Sequence, residues 1–269
     1  GTLSRMRSLA LRHMELDDEL IKGMLDHVAS GALLSLDLRG NTFSEEAVRS
    51  IGFASSTSCL QSLDLRANYW GGYEEAIAHL VNAPCAGSLQ RLALECDLTR
   101  HDLLRVLESY KLGKKLEHLG LTNSLFSSAY DGHEIQEAGI AALRDAEMRL
   151  GSLRSLDLDS NQLDDERFAE ILEIPWIARL HALDLSWNEL TDASIERLAR
   201  VMRSGAFELE ALALRGCEIG EQGARALLSD PRFSQLRRLD VSSTSGLSDS
   251  EAFSDRPPRL LGFVPSARF

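Results

Sequence analysis

Two sets of charged residues recur at matching places in this 269-residue chain. Asp37, Asp64, Asp157 and Asp184 each stand between two leucines, and the equivalent place elsewhere holds Ala10, Ala93, Gly120, Ala213 and Asp240. Two residues further on come Arg12, Arg39, Arg66, Glu95, Thr122, Asp159, Ser186, Arg215 and Ser242. Alternate residues of an extended strand share a face, so both columns look out from one surface. Arg12, Arg39 and Arg66 would then form a basic stripe beside Asp37 and Asp64, with Asp157, Asp159 and Asp184 as an acidic patch. A polar surface of both signs suits electrostatic recognition of a protein. The plainer outcome is lateral pairing of Arg with Asp, which contributes only about 0–1 kcal/mol per exposed pair.

Aromatic residues make up only 6% of the chain, so their placement matters. Tyr69 and Trp187 lie beside a recurring Asn (Asn68, Asn188), and exposed Tyr and Trp are typical binding hot spots. Trp70 occupies a core leucine position, and Trp176 stands where a helix would return to a strand; both are expected to be buried. Catalytic signatures are missing: there is no Gly-x-x-x-x-Gly-Lys-Ser/Thr, no Gly-x-Ser-x-Gly and no His-Glu-x-x-His. Asp131, His133 and Glu134 are close enough in sequence to hold a metal, but three neighbouring polar residues in a loop are usually solvated. Cys59, Cys85, Cys96 and Cys217 show no metal-binding spacing; Cys59 and Cys85 precede neighbouring strands, and isolated thiols are the expectation. The sequence therefore predicts no enzyme, no metal and no cofactor.

The net charge of −12 disfavours nucleic acid, whose phosphates it would repel, and would steer a basic protein towards the chain. No apolar run approaches the roughly 20 residues that span a bilayer. The first residues lack the layout of a signal peptide. The expectation is a cytoplasmic, monomeric protein that binds another protein and no membrane.

The elements that position these residues are repeats. SLDLRGN (35–41), SLDLRAN (62–68), SLDLDSN (155–161) and ALDLSWN (182–188) recur, with LALRGC (212–217) and LDVSST (239–244) as weaker copies. Anchored on the first strand leucine, nine units start at Leu9, Leu36, Leu63, Leu92, Leu119, Leu156, Leu183, Leu212 and Leu239, spaced by 27, 27, 29, 27, 37, 27, 29 and 27 residues. Leu-x-Leu sends two side chains to one face of a short strand. The Asn that follows can both donate and accept, so it can satisfy backbone groups of a buried turn. The second half of each unit, as in LTDASIERLARVM (190–202) or IGEQGARALLSD (219–230), has apolar residues at helical spacing, with Ala193 and Gly223 as the small residues that let the helix lie close. Strands sit about 4.8 Å apart and packed helices 8–10 Å, so stacking such units bends the array.

This pattern, best seen in LEALALRGCEIGEQGARALL (209–228) with Cys217 in place of Asn, resembles the ribonuclease-inhibitor-like class of leucine-rich repeats. The resemblance implies an α/β solenoid, a horseshoe of about nine repeats with a parallel sheet on the concave face and helices on the convex face. For function it implies a non-catalytic protein-binding module; a GTPase-activating or other regulatory protein, and a spacer or sensor domain of a larger chain, are the alternatives it leaves open.

Some units depart from the pattern. Repeats four and five place Cys96 and Asn123 a step early, predicting a tighter turn. The spacing of 37 in the fifth places about ten extra residues at 126–136, with Phe126, Tyr130 and His133. A loop projecting from a rigid scaffold often carries function, and a lengthened loop costs little. At the start, Met14 stands where later repeats have Asn and no capping helix precedes the first strand, as in a solenoid cut from a longer protein. The expected boundaries are 1–246 for the repeats and 247–269, broken by Pro257-Pro258, for a capping tail.

Overall fold

The anchor leucines fall into register across neighbouring strands: Leu9, Leu36, Leu63, Leu92 and Leu119 in one series, Leu156, Leu183, Leu212 and Leu239 in another. The computed structural model describes residues 6–68, 73–95, 98–125, 134–145, 151–205 and 207–244. The chain divides into two compact units, Gly1–Leu153 and Arg154–Phe269.

The first unit contains strands β1 (Ser8–Ala10), β2 (Ser35–Asp37), β3 (Ser62–Asp64), β4 (Arg91–Glu95) and β5 (His118–Thr122), parallel and in sequence order. Helices α1 (Asp18–Asp26), α2 (Glu45–Phe53), α3 (Tyr73–Asn82), α4 (Arg100–Leu107) and α5 (Glu134–Asp145) follow them in alternation. The second unit repeats the plan with β6 (Ser155–Asp157), α6 (Asp165–Leu172), β7 (Ala182–Asp184), α7 (Asp192–Arg203), β8 (Ala211–Ala213), α8 (Glu221–Ser229) and β9 (Arg238–Asp240). Strand contacts strand and helix contacts helix one unit along, so each unit is a leucine-rich-repeat solenoid with a sheet layer and a helix layer. The core lies between them: Leu36, Leu38, Leu156, Leu158, Leu183 and Leu185 are wholly buried. Trp176 is buried there as expected.

The asparagines form a ladder along the turn after the strands. Asn188 Oδ1 accepts from the Asn161 and Leu163 N–H groups at 2.9 and 3.0 Å, while its Nδ2 donates to the Leu158 and Leu185 carbonyls. Asn41 makes the same four bonds in the first unit, and Asn68 accepts from the Asn41 N–H and donates to the Leu38 and Leu65 carbonyls. Cys217 fits the Asn place because its thiol donates to the Leu185 carbonyl. In repeat five the ladder position belongs to Ser124, fully buried and donating to the Thr122 carbonyl, and not to Asn123. Asn123 is instead exposed and takes the left-handed turn (φ 47°).

A second set of bonds ties the helices. Asp18 of α1 accepts from the Ser44 N–H and hydroxyl at 2.7 and 2.6 Å; Asp165 of α6 does the same for Thr191 and also accepts from Ser194; Asp192 of α7 accepts from the Gly220 N–H at 2.7 Å. Each carboxylate therefore holds the start of the next helix. Burial works to raise the Asp165 pKa, but the bonds from Ser194 and Thr191 outweigh it and hold the carboxyl below its usual value.

This arrangement corrects the assignment of Ala193. That residue is exposed, and the buried small position is Ser194, one step on and equivalent to Gly223. A Cβ at Gly223 would meet Asp192 Oδ1 at 2.4 Å and Ile219 Cγ2 at 2.8 Å, so here the carboxylate lies directly over the glycine, whereas Asp165 accepts a bond from the Ser194 hydroxyl at the equivalent place.

Of the predicted insertion, residues 134–136 open α5, and 126–133 lie outside the described residues. The tail 247–269, Trp70 and Cys96 also lie outside them. Cys59 and Cys85 are free thiols. No helix among the described residues is long and apolar enough to cross a membrane.

Candidate protein-binding surface

The aspartates between the leucines have a local task. Asp37, Asp64, Asp157, Asp184 and Asp240 each accept from the N–H two residues on, at 2.9–3.2 Å, which closes the turn where the chain leaves the strand. Their side chains are mostly or wholly covered, so the column is a set of turn braces.

In the first unit the arginines complete this bracing. Arg12 Nε donates to Asp37 at 2.6 Å; Arg39 grips Asp37 at 2.9–3.1 Å and reaches Asp64 at 3.3 Å; Arg66 grips Asp64 at 2.7–3.0 Å. The result is an alternating chain, Arg12–Asp37–Arg39–Asp64–Arg66, in place of an open basic stripe. Burial works against the Asp37 charge, but hydrogen bonds from Arg39 and Arg12 prevail and its pKa is lowered. Beside this chain His118 is buried, and burial together with Arg66 and Arg91 pushes its pKa down to about 4. It is neutral at pH 7.

The second unit is braced differently. Asp157 accepts from the Asp159 N–H, and Asp159 accepts from the Ser160 hydroxyl at 2.8 Å. Asp184 and Asp240 flank Ala213 across β7, β8 and β9. Burial raises the Asp184 pKa, the Ser186 hydrogen bonds oppose this, and the charge of Asp240 adds to the rise. Arg215 approaches Asp240 only to 3.9 Å.

The large apolar side chains exposed among the described residues are Met14, Leu20, Phe53, Tyr110 and Trp187, and of these Met14 and Trp187 belong to the turn after the strand. Its left-handed position holds His13, Gly40, Ala67, Asn123, Ser160, Trp187, Gly216 and Ser243, all with φ between 47° and 68°. A tryptophan here is the outlier, since bulky residues rarely adopt positive φ. Trp187 is held by its N–H donating to the Arg215 carbonyl at 2.6 Å and by its ring lying on Gly216, where a Cβ would come within 2.3 Å of Cε3. It is nevertheless 52% exposed. His13 lies on Gly40 in the same way. Glycine has no Cβ, so it tolerates both the positive φ and the ring pressed against it.

Sequence reasoning brought Trp187 to this rim but missed its glycine seat; the sign available was an aromatic residue matched, one repeat later, by Gly in the same place. Tyr69, Phe126, Tyr130 and His133 lie outside the described residues. So do Asp131 and the side chain of Glu134; among the described residues no group of three or more His, Cys, Asp or Glu is placed to hold a metal.

The leucine-rich repeat family pattern matches residues 152–166, 180–199 and 208–228. No curated protein matches the chain in sequence. Solved structures that resemble it include a Bacteroides fragilis protein at 14% identity, covering 91% of this chain and 68% of that one with a TM-score of 0.64. The yeast Rad7–Elc1 complex matches at 14% identity, covering 95% of this chain and 67% of that one with a TM-score of 0.52. At such identities the likeness is one of fold. With in-register leucines, an asparagine ladder and strand–helix units in both halves, the chain has the leucine-rich-repeat solenoid fold.

Proposed function

We propose that the chain is a non-catalytic protein-interaction module of the ribonuclease-inhibitor-like class, acting in the cytoplasm, and that its partner docks on the strand-exit rim and adjoining sheet face of the second unit. The observation that carries this reading is Trp187: a large aromatic side chain, half exposed, in a strained left-handed turn and pressed on Gly216. The same left-handed turn recurs in the other repeats, so what sets Trp187 apart is its bulk together with its exposure, and a rigidly held tryptophan loses little entropy when a partner covers it. Cys217 in the Asn place and Gly223 against Asp192 support the class. One of the similar folds occurs in a complex of two yeast proteins, Rad7 and Elc1, which fits an interaction role. The net charge favours a basic partner.

Site-specific photocrosslinking tests this. A benzoylphenylalanine in place of Trp187 should capture a discrete protein from a cell extract, while the same probe at Arg197, exposed on α7, should not. Capture from the α7 position alone would move the site to the helix layer.

A further inference from the structure

Beside Trp187 the rim carries carboxylates. Glu189 and Glu218 are exposed and hold the same place in successive repeats: the Glu189 N–H donates to the Leu163 carbonyl and the Glu218 N–H to the Leu190 carbonyl, each at 2.9 Å. Among the described residues neither carboxylate makes an ion pair. The cation nearest in sequence, Arg215, is turned towards Asp240, and no described cation stacks on the Trp187 ring. The indole lies against Gly216, and about half of the side chain remains open to solvent.

We propose that Trp187, Glu189 and Glu218 form a receptor for an arginine side chain of the protein partner. This rests on the protein-binding reading above and adds the chemistry of what is bound. An indole face attracts a cation through its quadrupole, most strongly of the aromatic side chains. A guanidinium is planar and weakly hydrated, so it stacks on the ring while its edge donates to a carboxylate; an ammonium cannot do both as well. Gly216 acts as a positioning residue, since any side chain there would drive the ring from its seat.

The test is titration of the full chain with a fluorescently labelled decapeptide of alternating glycine and arginine, read by anisotropy. The comparison peptide has citrulline, a neutral isostere, at each arginine. The arginine peptide should bind at least about tenfold more tightly than the citrulline peptide. Trp187→Ala should weaken it about fivefold, and Glu189→Gln with Glu218→Gln should weaken it similarly and flatten its salt dependence. Gly216→Ala should reproduce the loss with an unchanged far-ultraviolet circular dichroism spectrum; Trp187→Ala, at an exposed side chain, carries the test should that variant fail to fold. Equal binding of the two peptides, or full affinity in Trp187→Ala, overturns the proposal. Crosslinked capture at position 187 combined with equal binding of the peptides would leave the protein-binding reading standing and remove only the arginine.

Discussion

A side chain between two strand leucines can serve a partner or its own turn, and the hydrogen bonds show the aspartates serving the turn. Asp184 shows both the benefit and the burden of this. Its Oδ1 accepts from the Ser186 N–H at 2.9 Å, yet burial and Asp240 raise its pKa. A raised carboxyl pKa means that the neutral form suits the fold better, so this charge lowers stability as the pH rises through the folded value. Asp184→Asn keeps an acceptor and removes the charge. It should be as stable as the parent or more so at pH 7, with any gain vanishing below pH 3.8, where both forms are neutral. Asp184→Ala should fall below Asp184→Asn by about 1 kcal/mol for the lost turn bond. Denaturant midpoints of the three proteins at pH 7 and pH 3 check this ordering.

At the scale of the element, neighbouring repeats borrow from one another. The turn of one unit is completed by the Asn of the next, and the start of one helix by the Asp of the helix before. Asn188→Ala would orphan two N–H groups and two carbonyls in a buried turn, and should cost about 2–4 kcal/mol. Asn188→Cys should recover part of that loss, because Cys217 shows a thiol donating to a carbonyl in the equivalent place. Equal losses for the two variants in urea unfolding would show that the thiol bond contributes nothing. Leu183→Ala, in the core between sheet and helices, should cost about 2–5 kcal/mol.

For the whole molecule, charge sets the response to pH and salt. The depressed carboxyls Asp37 and Asp165 contribute stability that is complete above their ordinary value of 3.8 and lost as the pH falls through the depressed values. Thermal unfolding followed between pH 5 and pH 2 should therefore show a steep loss below pH 3.8, and Asp37→Asn should make that slope shallower. A basic partner should associate more slowly as salt rises, since the field reaches only about 8 Å at physiological ionic strength. A stopped-flow association rate unchanged between low and high salt would leave shape and apolar contact as the source of affinity.

The leucine period was enough to establish strand, turn and helix in each unit, because a solenoid repeats one local solution and the inward side chains must recur wherever it does. The anchors Leu9 to Leu239 and the Asn turn were legible for that reason, as was the place of Trp187 on the rim. What the sequence left undecided is where side chains of neighbouring units meet. Asp37 reads the same whether it faces a partner or its own turn, and only the 2.9–3.1 Å grip of Arg39 shows that the arginines are taken up in bracing. Ser194, Ser124 and Gly216 lie outside the leucine period, so their roles appear only once the next repeat is stacked against them. Contacts between residues about 27 apart are set by the close approach of two backbones, and that distance is a property of the folded stack alone.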